Sequence, residues 1–346
     1  MNGWSQWALR EIAHDQLRTG ETHLLKVAIP GFDGIDFYLK DESTHPTGSL
    51  KHRVARSLFT HAIKAGKINA RTPVVEASSG NTAVSEAYFA KLLGLPFTAV
   101  MPVGTSRKKV HALEMLGGRC HFVEDAAAVY AAAEAIAKEL SGHYMDQFAF
   151  AAQATDWRGE ENVAASLLRQ MKNERYSVPA AVVMSAGTGG TSATLGRHFQ
   201  YKSLDTRLIV VDPEYSVFFD SYQTSDRSLT LSKGSRIEGI GRPQVEKSFM
   251  PECITQMLKV PDAASVASMY WFERLTGRRV GASTGTHLWG VLQVASRMRE
   301  RQETGAIVTL ICDDGARYED SYWDREWVDH HIGSISNYLN VLQSFL

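Results

Sequence analysis

The chain has 346 residues, 44% hydrophobic and 22% charged, with a formal net charge of −1. That is enough to bury one large or two modest cores, and so balanced a charge gives no basis for binding nucleic acid or an anionic membrane. No apolar run approaches the roughly 20 residues of a membrane span, and Met1–Trp7 lacks a basic segment followed by an apolar one. Cys120, Cys253 and Cys312 are scattered and form neither a disulfide framework nor a Cys-x-x-Cys pair, so a soluble cytoplasmic chain is expected.

The first informative segment is the turn Pro46-Thr-Gly-Ser49, which leads through Leu50 to Lys51 and an expected helix through Val54, Leu58 and Phe59. The helix dipole disfavours a cation at that end. A lysine there suits an amine kept neutral to attack a carbonyl, although most lysines are simply solvated. Next comes an expected strand at Pro73-Val-Val75, then Glu76-Ala-Ser-Ser-Gly-Asn-Thr82, then an amphipathic helix over 83–93. Four short hydroxyl or amide side chains at a strand-to-helix junction exceed what one helix cap needs. They offer donors to a carboxylate.

Further strands are expected at 97–101, 121–123, 181–184, 208–211 and 307–311. Helices are expected at 108–116, 126–140, 162–171 and 287–301, with the alanine-rich run a good helix former. The β-α rhythm predicts α/β architecture, with mainly parallel sheets flanked by helices. Between the strand at 181–184 and a helix starting near Ser192 lies Ser185-Ala-Gly-Thr-Gly-Gly-Thr191, whose glycines let backbone approach a phosphate. Asp212 ends the next strand where a dinucleotide-binding fold places its ribose acid. However, Ser192 occupies the third glycine position of that fingerprint, and no Walker lysine follows. A phosphate cup without a nucleoside arm fits better. In the tail, His330 and His331 diverge by about 100° on a helix and no third ligand is spaced to help, so no metal site is expected. Trp323 and Trp327 are expected to pack the tail against the body or a second subunit.

Taken in order, the Lys51 segment, the Ser-Gly-Asn-Thr loop, the Gly-Thr-Gly-Gly-Thr cup and Val280-Gly-Ala-Ser283-Thr-Gly-Thr286 resemble the fold-type II pyridoxal-phosphate enzymes, the family of cysteine synthase and cystathionine β-synthase. The resemblance covers roughly residues 20–320. It implies two lobes with pyridoxal 5'-phosphate between them, the smaller at 45–154 and the larger made of 1–44 and 155–346. Carried over by position, it makes Lys51 the Schiff-base lysine and Asn81 the amide at the cofactor ring oxygen. Gly187, Thr188, Gly189, Gly190 and Thr191 become the phosphate cup, and Ser283 the hydroxyl at the pyridine nitrogen. Ser78, Ser79, Gly80 and Thr82 would close on the substrate carboxylate, joined by Gln147. Gly239-Ile-Gly241 resembles a family loop beside the site. A homodimer is implied as well.

Two departures bear on the second substrate. Ala149-Phe-Ala-Ala-Gln153 replaces the synthases' Asn-Pro-Ala-Asn segment, and Arg242-Pro243 stands where they carry small residues. Arg242 could face a carboxylate or a sulfide-bearing substrate. A neutral hydroxyl at the ring nitrogen would leave it unprotonated and the α-carbanion poorly delocalised, which favours β-elimination through an aminoacrylate. Lys51, freed by substrate, is the base for the α-proton. Ile237-Glu-Gly-Ile-Gly-Arg-Pro243, Gln147-Phe-Ala-Phe150 and Cys312-Asp-Asp-Gly-Ala-Arg-Tyr318 are most similar to the bacterial cysteine desulfhydrase branch. The resemblance thus implies conversion of L-cysteine to hydrogen sulfide, pyruvate and ammonia. The alternatives are a cysteine synthase using O-acetylserine, and a non-catalytic scaffold that keeps the fold.

Overall fold

The computed structural model describes residues 3–345. In chain order its strands are β1 (His23–Val27), β2 (Ile35–Asp41), β3 (Val74–Ala77), β4 (Phe97–Pro102), β5 (Arg119–Val123), β6 (His143–Tyr144), β7 (Ala181–Ser185), β8 (Arg207–Pro213), β9 (Gln256–Val260) and β10 (Gly305–Ile311). They form two sheets in two compact units. The first unit is the chain up to Glu21 with His45–Thr155, and the second is Thr22–Thr44 with Asp156 onward.

The first unit holds a four-stranded parallel sheet, ordered β5-β4-β3-β6. Successive strand residues point to opposite faces, and here both faces are apolar. Val74, Ala99 and Met101 pack with Leu58, Phe59 and Phe89, from the helices α2 (Lys51–Lys64) and α3 (Asn81–Leu93). Val75, Ala77 and Val100 pack instead with Ala133 and Ala137 of the helix Val129–Glu139. A parallel sheet covered on both sides reads as continuous apolar runs, which is why β3 and β4 were legible. Ala8 and Ile12 of α1 (Gly3–Thr19) join the α2–α3 core. Residues up to Glu21 therefore group with the smaller unit, whereas the sequence reading placed 1–44 in the larger lobe.

The second unit holds a six-stranded sheet, ordered β1-β2-β10-β7-β8-β9 and parallel except for the antiparallel edge pair β1–β2. Its core gathers Val183, Ile209, Val211 and Ile307 beneath Leu288, Val291 and Leu292 of the helix Ala282–Glu300. Gly285 lets this helix press onto Asp262–Thr276, since a Cβ there would meet Ser265 O at 2.1 Å. In the tail, Trp323 Nε1 donates to Val280 O (3.2 Å), and Trp327 packs edge-on to Tyr322. His331 stacks on Trp327 and donates Nδ1–H to its carbonyl (2.9 Å), an aromatic packing role within this unit. No helix among the described residues is long and apolar enough to cross a membrane.

Candidate active site

In the first unit, Gly48 adopts φ +69°, which turns the chain so that Lys51 is the first residue of α2. Lys51 is half-buried, while its neighbours His52, Arg53 and Val54 are buried. A polar chain braces this turn. Thr47 Oγ1 meets Ser85 Oγ of α3 at 2.9 Å and His52 Nδ1 at 3.3 Å, and Tyr88 donates to Asp15 of α1. Burial pushes His52 down to about 4, so its imidazole is neutral at ordinary pH.

The loop Ser78–Gly80 lies between β3 and α3. Gly80, rather than Ser79 or Asn81, is the N-cap, and no side chain caps the helix. Ser79 and Asn81 are therefore not consumed as caps, the competing reading of this segment. Thr82 donates to Gln147 Oε1 at 2.8 Å across 65 residues of sequence, so the structure brings this expected pair together. Gln147 N donates in turn to Glu76 Oε2 (3.2 Å), and Glu76 Oε1 accepts from Ala77 N (2.9 Å). Glu76 was not read from the sequence, although its place directly before the loop was the available signal.

In the second unit, Ala186–Gly189 runs from β7 into the helix Gly190–Tyr201. That helix begins two residues before the expected Ser192, so Gly190 and Thr191 belong to its first turn and add its dipole to the cup. Gly189 has φ +89°, and a Cβ there would lie 2.5 Å from Phe249 Cα. At Gly187 it would lie 2.2 Å from Gly239 O, which brings the expected Gly239–Gly241 loop against the cup. The backbone N–H groups of Gly187, Thr188 and Gly189 donate to no acceptor among the described residues. Orphan donors at a helix N-terminus form a site for a phosphate-sized anion.

Ser283 lies in the first turn of the helix Ala282–Glu300, which starts five residues before the expected His287. Neighbouring Thr284 is committed to Cys312 N (3.1 Å), while the Ser283 hydroxyl makes no hydrogen bond among the described residues. Asp212 is fully buried and caps Phe219 N (2.8 Å), a structural duty that removes the ribose role of a dinucleotide fold. Arg242 Nε pairs with Glu246 at 2.7 Å, so its charge is already compensated within the unit. No group of three His, Cys, Asp or Glu residues suited to a metal occurs among the described residues.

One supporting residue escaped the sequence reading. His287, one helical turn after Ser283, is fully buried; its Nδ1–H donates to Leu310 O (3.0 Å). Its Nε2 accepts from Ser185 N (2.9 Å) and Ser185 Oγ (2.7 Å), which pins the residue that opens the cup segment. Burial pushes its pKa down to about 4. Above pH 6.5 the folded and unfolded chains both carry a neutral ring, so its stabilisation is fully present. Between 6.5 and 4 only the unfolded chain takes the proton, and up to about 3 kcal/mol is lost. His287→Phe should therefore cost about 3 kcal/mol at pH 8 by leaving buried donors and an acceptor unpaired, and far less at pH 4. Urea unfolding at the two pH values checks this; a cost that does not change with pH would refute it.

The sequence pattern of the family described as pyridoxal-phosphate dependent enzymes matches residues 16–313. The chain is 53% identical over 329 residues to the L-cysteine desulfhydrase Cds1 of Mycobacterium tuberculosis, covering 94% of this chain and 89% of that protein. It is 25% identical to a cysteine synthase of Dictyostelium discoideum, over 93% of this chain and 87% of the other. A crystal structure of a hydrogen sulfide-producing enzyme with an α-aminoacrylate intermediate superposes with a TM-score of 0.77 at 22% identity, covering 91% of this chain and 92% of that one. The fold expected from the motifs is thus the fold observed: mixed α/β, with parallel sheets flanked by helices. Motif order, sheet topology and a match over most of the length agree, and the chain belongs to the pyridoxal-phosphate dependent enzymes.

Proposed function

We propose that this protein is a carbon–sulfur lyase that eliminates sulfide from L-cysteine and releases pyruvate and ammonia. The observation that carries the reading is the 53% identity, over 94% of the chain, to a protein named as an L-cysteine desulfhydrase. The residues fit the cofactor. The orphan N–H groups of Gly187–Gly189 and the following helix would hold its phosphate, with Gly190 and Thr191 in the first turn. The uncommitted Ser283 hydroxyl would meet its pyridine nitrogen, Asn81 its ring oxygen, and Lys51 its carbonyl carbon. When bound, pyridoxal phosphate supplies the electron sink for bond breaking at the substrate Cα.

The chain's own groups do the rest. Ser78, Ser79, Gly80 and Thr82 offer hydroxyls and N–H groups to the substrate carboxylate, and Gln147 fixes the Thr82 side chain through their 2.8 Å bond. Holding the carboxylate sets the angle at which the Cα–H bond faces its base. The Lys51 amine takes that proton. A hydroxyl at Ser283, unlike a carboxylate, does not hold a proton on the ring nitrogen, which favours rapid departure of sulfide over transamination. The reading includes a cytoplasmic homodimer, consistent with free cysteines at 120, 253 and 312.

A cysteine synthase reading remains in view because synthases of about a quarter identity match most of the chain. Incubating cofactor-loaded protein with L-cysteine alone separates the two. Equal, continuous release of sulfide and pyruvate is expected for the lyase. If pyruvate is absent and O-acetylserine with sulfide yields cysteine, the chain is a synthase.

A further inference from the structure

A pair of buried carboxyls lies on the two elements that flank the loop Ser78–Gly80. Glu76 is on β3, and Glu86 is on α3 one turn after Thr82, on the same helix face. Both are fully buried. Glu76 accepts the N–H groups of Ala77 and Gln147, which suit a carboxylate. Both oxygens of Glu86 are buried and make no well-formed hydrogen bond among the described residues, and the side chain of Glu76 is the carboxyl that interacts with them. An unpaired carboxylate in that position would cost several kcal/mol. A core with no use for it would hold an apolar side chain.

The surroundings define what Glu86 can do. Burial and the repulsion of Glu76 push its carboxyl well above the usual carboxylate range, while the charge of Lys51 on α2 pulls the other way. Burial and Asp146 likewise push Glu76 up, opposed by its N–H donors. Tyr144 on β6 feels both carboxyls, and Tyr130 on the helix Val129–Glu139 acts in turn on Tyr144. Around His52 on α2, the groups that act are Asp15, His45 and Arg56. Among the groups acting directly on Glu86, Lys51 is the cation.

We propose that Glu86, in its buried pair with Glu76, is a positioning residue that supplies the counter-charge to the Lys51 ammonium during turnover. The role rests on Lys51 being the base of the proposed reaction. With one proton between the two carboxyls, the negative charge rests on Glu76, where two N–H groups solvate it, and Glu86 carries the proton. When Lys51 takes a proton from substrate Cα, the proton of Glu86 passes to Glu76, and the negative charge moves beside the new ammonium. No proton enters or leaves the pair. The shift reverses when Lys51 gives up its proton. A neutral resting Glu86 sets no opposite charge beside the amine, and an ionised Glu86 stabilises the ammonium once it has formed.

The test uses the full-length chain with Glu86→Gln, which keeps the shape and removes the ionisation. Amine acylation of the cofactor-free chain across pH, read at Lys51 by peptide mass spectrometry, gives the titration midpoint of that amine. In the variant it should fall by about one pH unit, the effect of losing a nearby opposite charge. With L-cysteine and loaded enzyme, kcat should fall about tenfold while KM changes little. Glu86→Leu, which removes the burial penalty, should fold at least as well and give the same two results. An unchanged midpoint and kcat in both variants would overturn the proposal. Lys51→Ala serves as the control: if it keeps the visible absorbance of bound cofactor, the assignment of Lys51 itself fails. If that absorbance is lost while the Glu86 variants match the parent, only the role of Glu86 fails.

Discussion

Lys51→Ala should abolish sulfide release, lowering turnover by about a thousandfold or more, because nucleophile and base are removed together. The same change should bleach the visible absorbance that arises when the lysine engages the cofactor. Protein stability should hardly move. Lys51 is half-buried at the first position of α2, and alanine is the best helix former. Taking a cation away from a helix N-terminus is neutral to favourable for the helix. The turn before it is held by Gly48 and by Thr47 with Ser85 and His52. Activity and absorbance measured on a variant with a parent-like unfolding curve thus isolate the chemistry. Retention of either one places the reactive lysine elsewhere.

Gly189→Val should reduce cofactor affinity by at least about a hundredfold, from backbone geometry alone. At φ +89° a side chain is strained by roughly 1–2 kcal/mol before any contact is counted. Its Cβ would then fall 2.5 Å from Phe249 Cα, 2.6 Å from Ser248 O and 2.7 Å from Phe249 N. These are backbone atoms, which cannot swing aside as the end of a side chain can. Phe249 is itself buried and stacked on Phe218 at 4.2 Å between ring centroids, so this segment has nowhere to retreat. The loop must open instead, which spreads the N–H groups of Gly187, Thr188 and Gly189. Titrating cofactor into the cofactor-free variant measures the loss. A folded variant with parent affinity would mean the phosphate binds away from this cup.

The motifs that carried the family were legible because they sit in short contiguous segments with composition unlike a core or an ordinary turn. Gly187–Thr191, Ser78–Thr82 and the Lys51 turn each announce themselves locally, and their order along the chain carried the family. The strands β3, β4, β7, β8 and β10 were legible for a related reason: sheets covered on both faces leave uninterrupted apolar runs. β6 has two residues, and the edge strand β1 is half exposed, so neither carries a periodic signal. Helix starts shifted toward the chemistry, at Gly190 and Ala282, because glycine and small polar residues in a first turn resemble loop until their N–H groups are seen.

What the residue order could not reveal were partnerships between distant positions. Ser185 with His287, and Glu76 with Glu86, became visible only once strands and helices packed, and packing gave the expected Thr82–Gln147 pair its 2.8 Å bond. What Arg242 contacts was open in the sequence, and the fold sets Glu246 against it. Asp212, whose ribose role the missing third glycine had already argued against, gained its structural duty only when its burial and its bond to Phe219 N were seen. A local motif specifies which functional groups are present, since backbone conformation and composition are set within a few residues. Burial decides which of them are charged, which are satisfied and which remain free to react, and burial is a property of the folded whole.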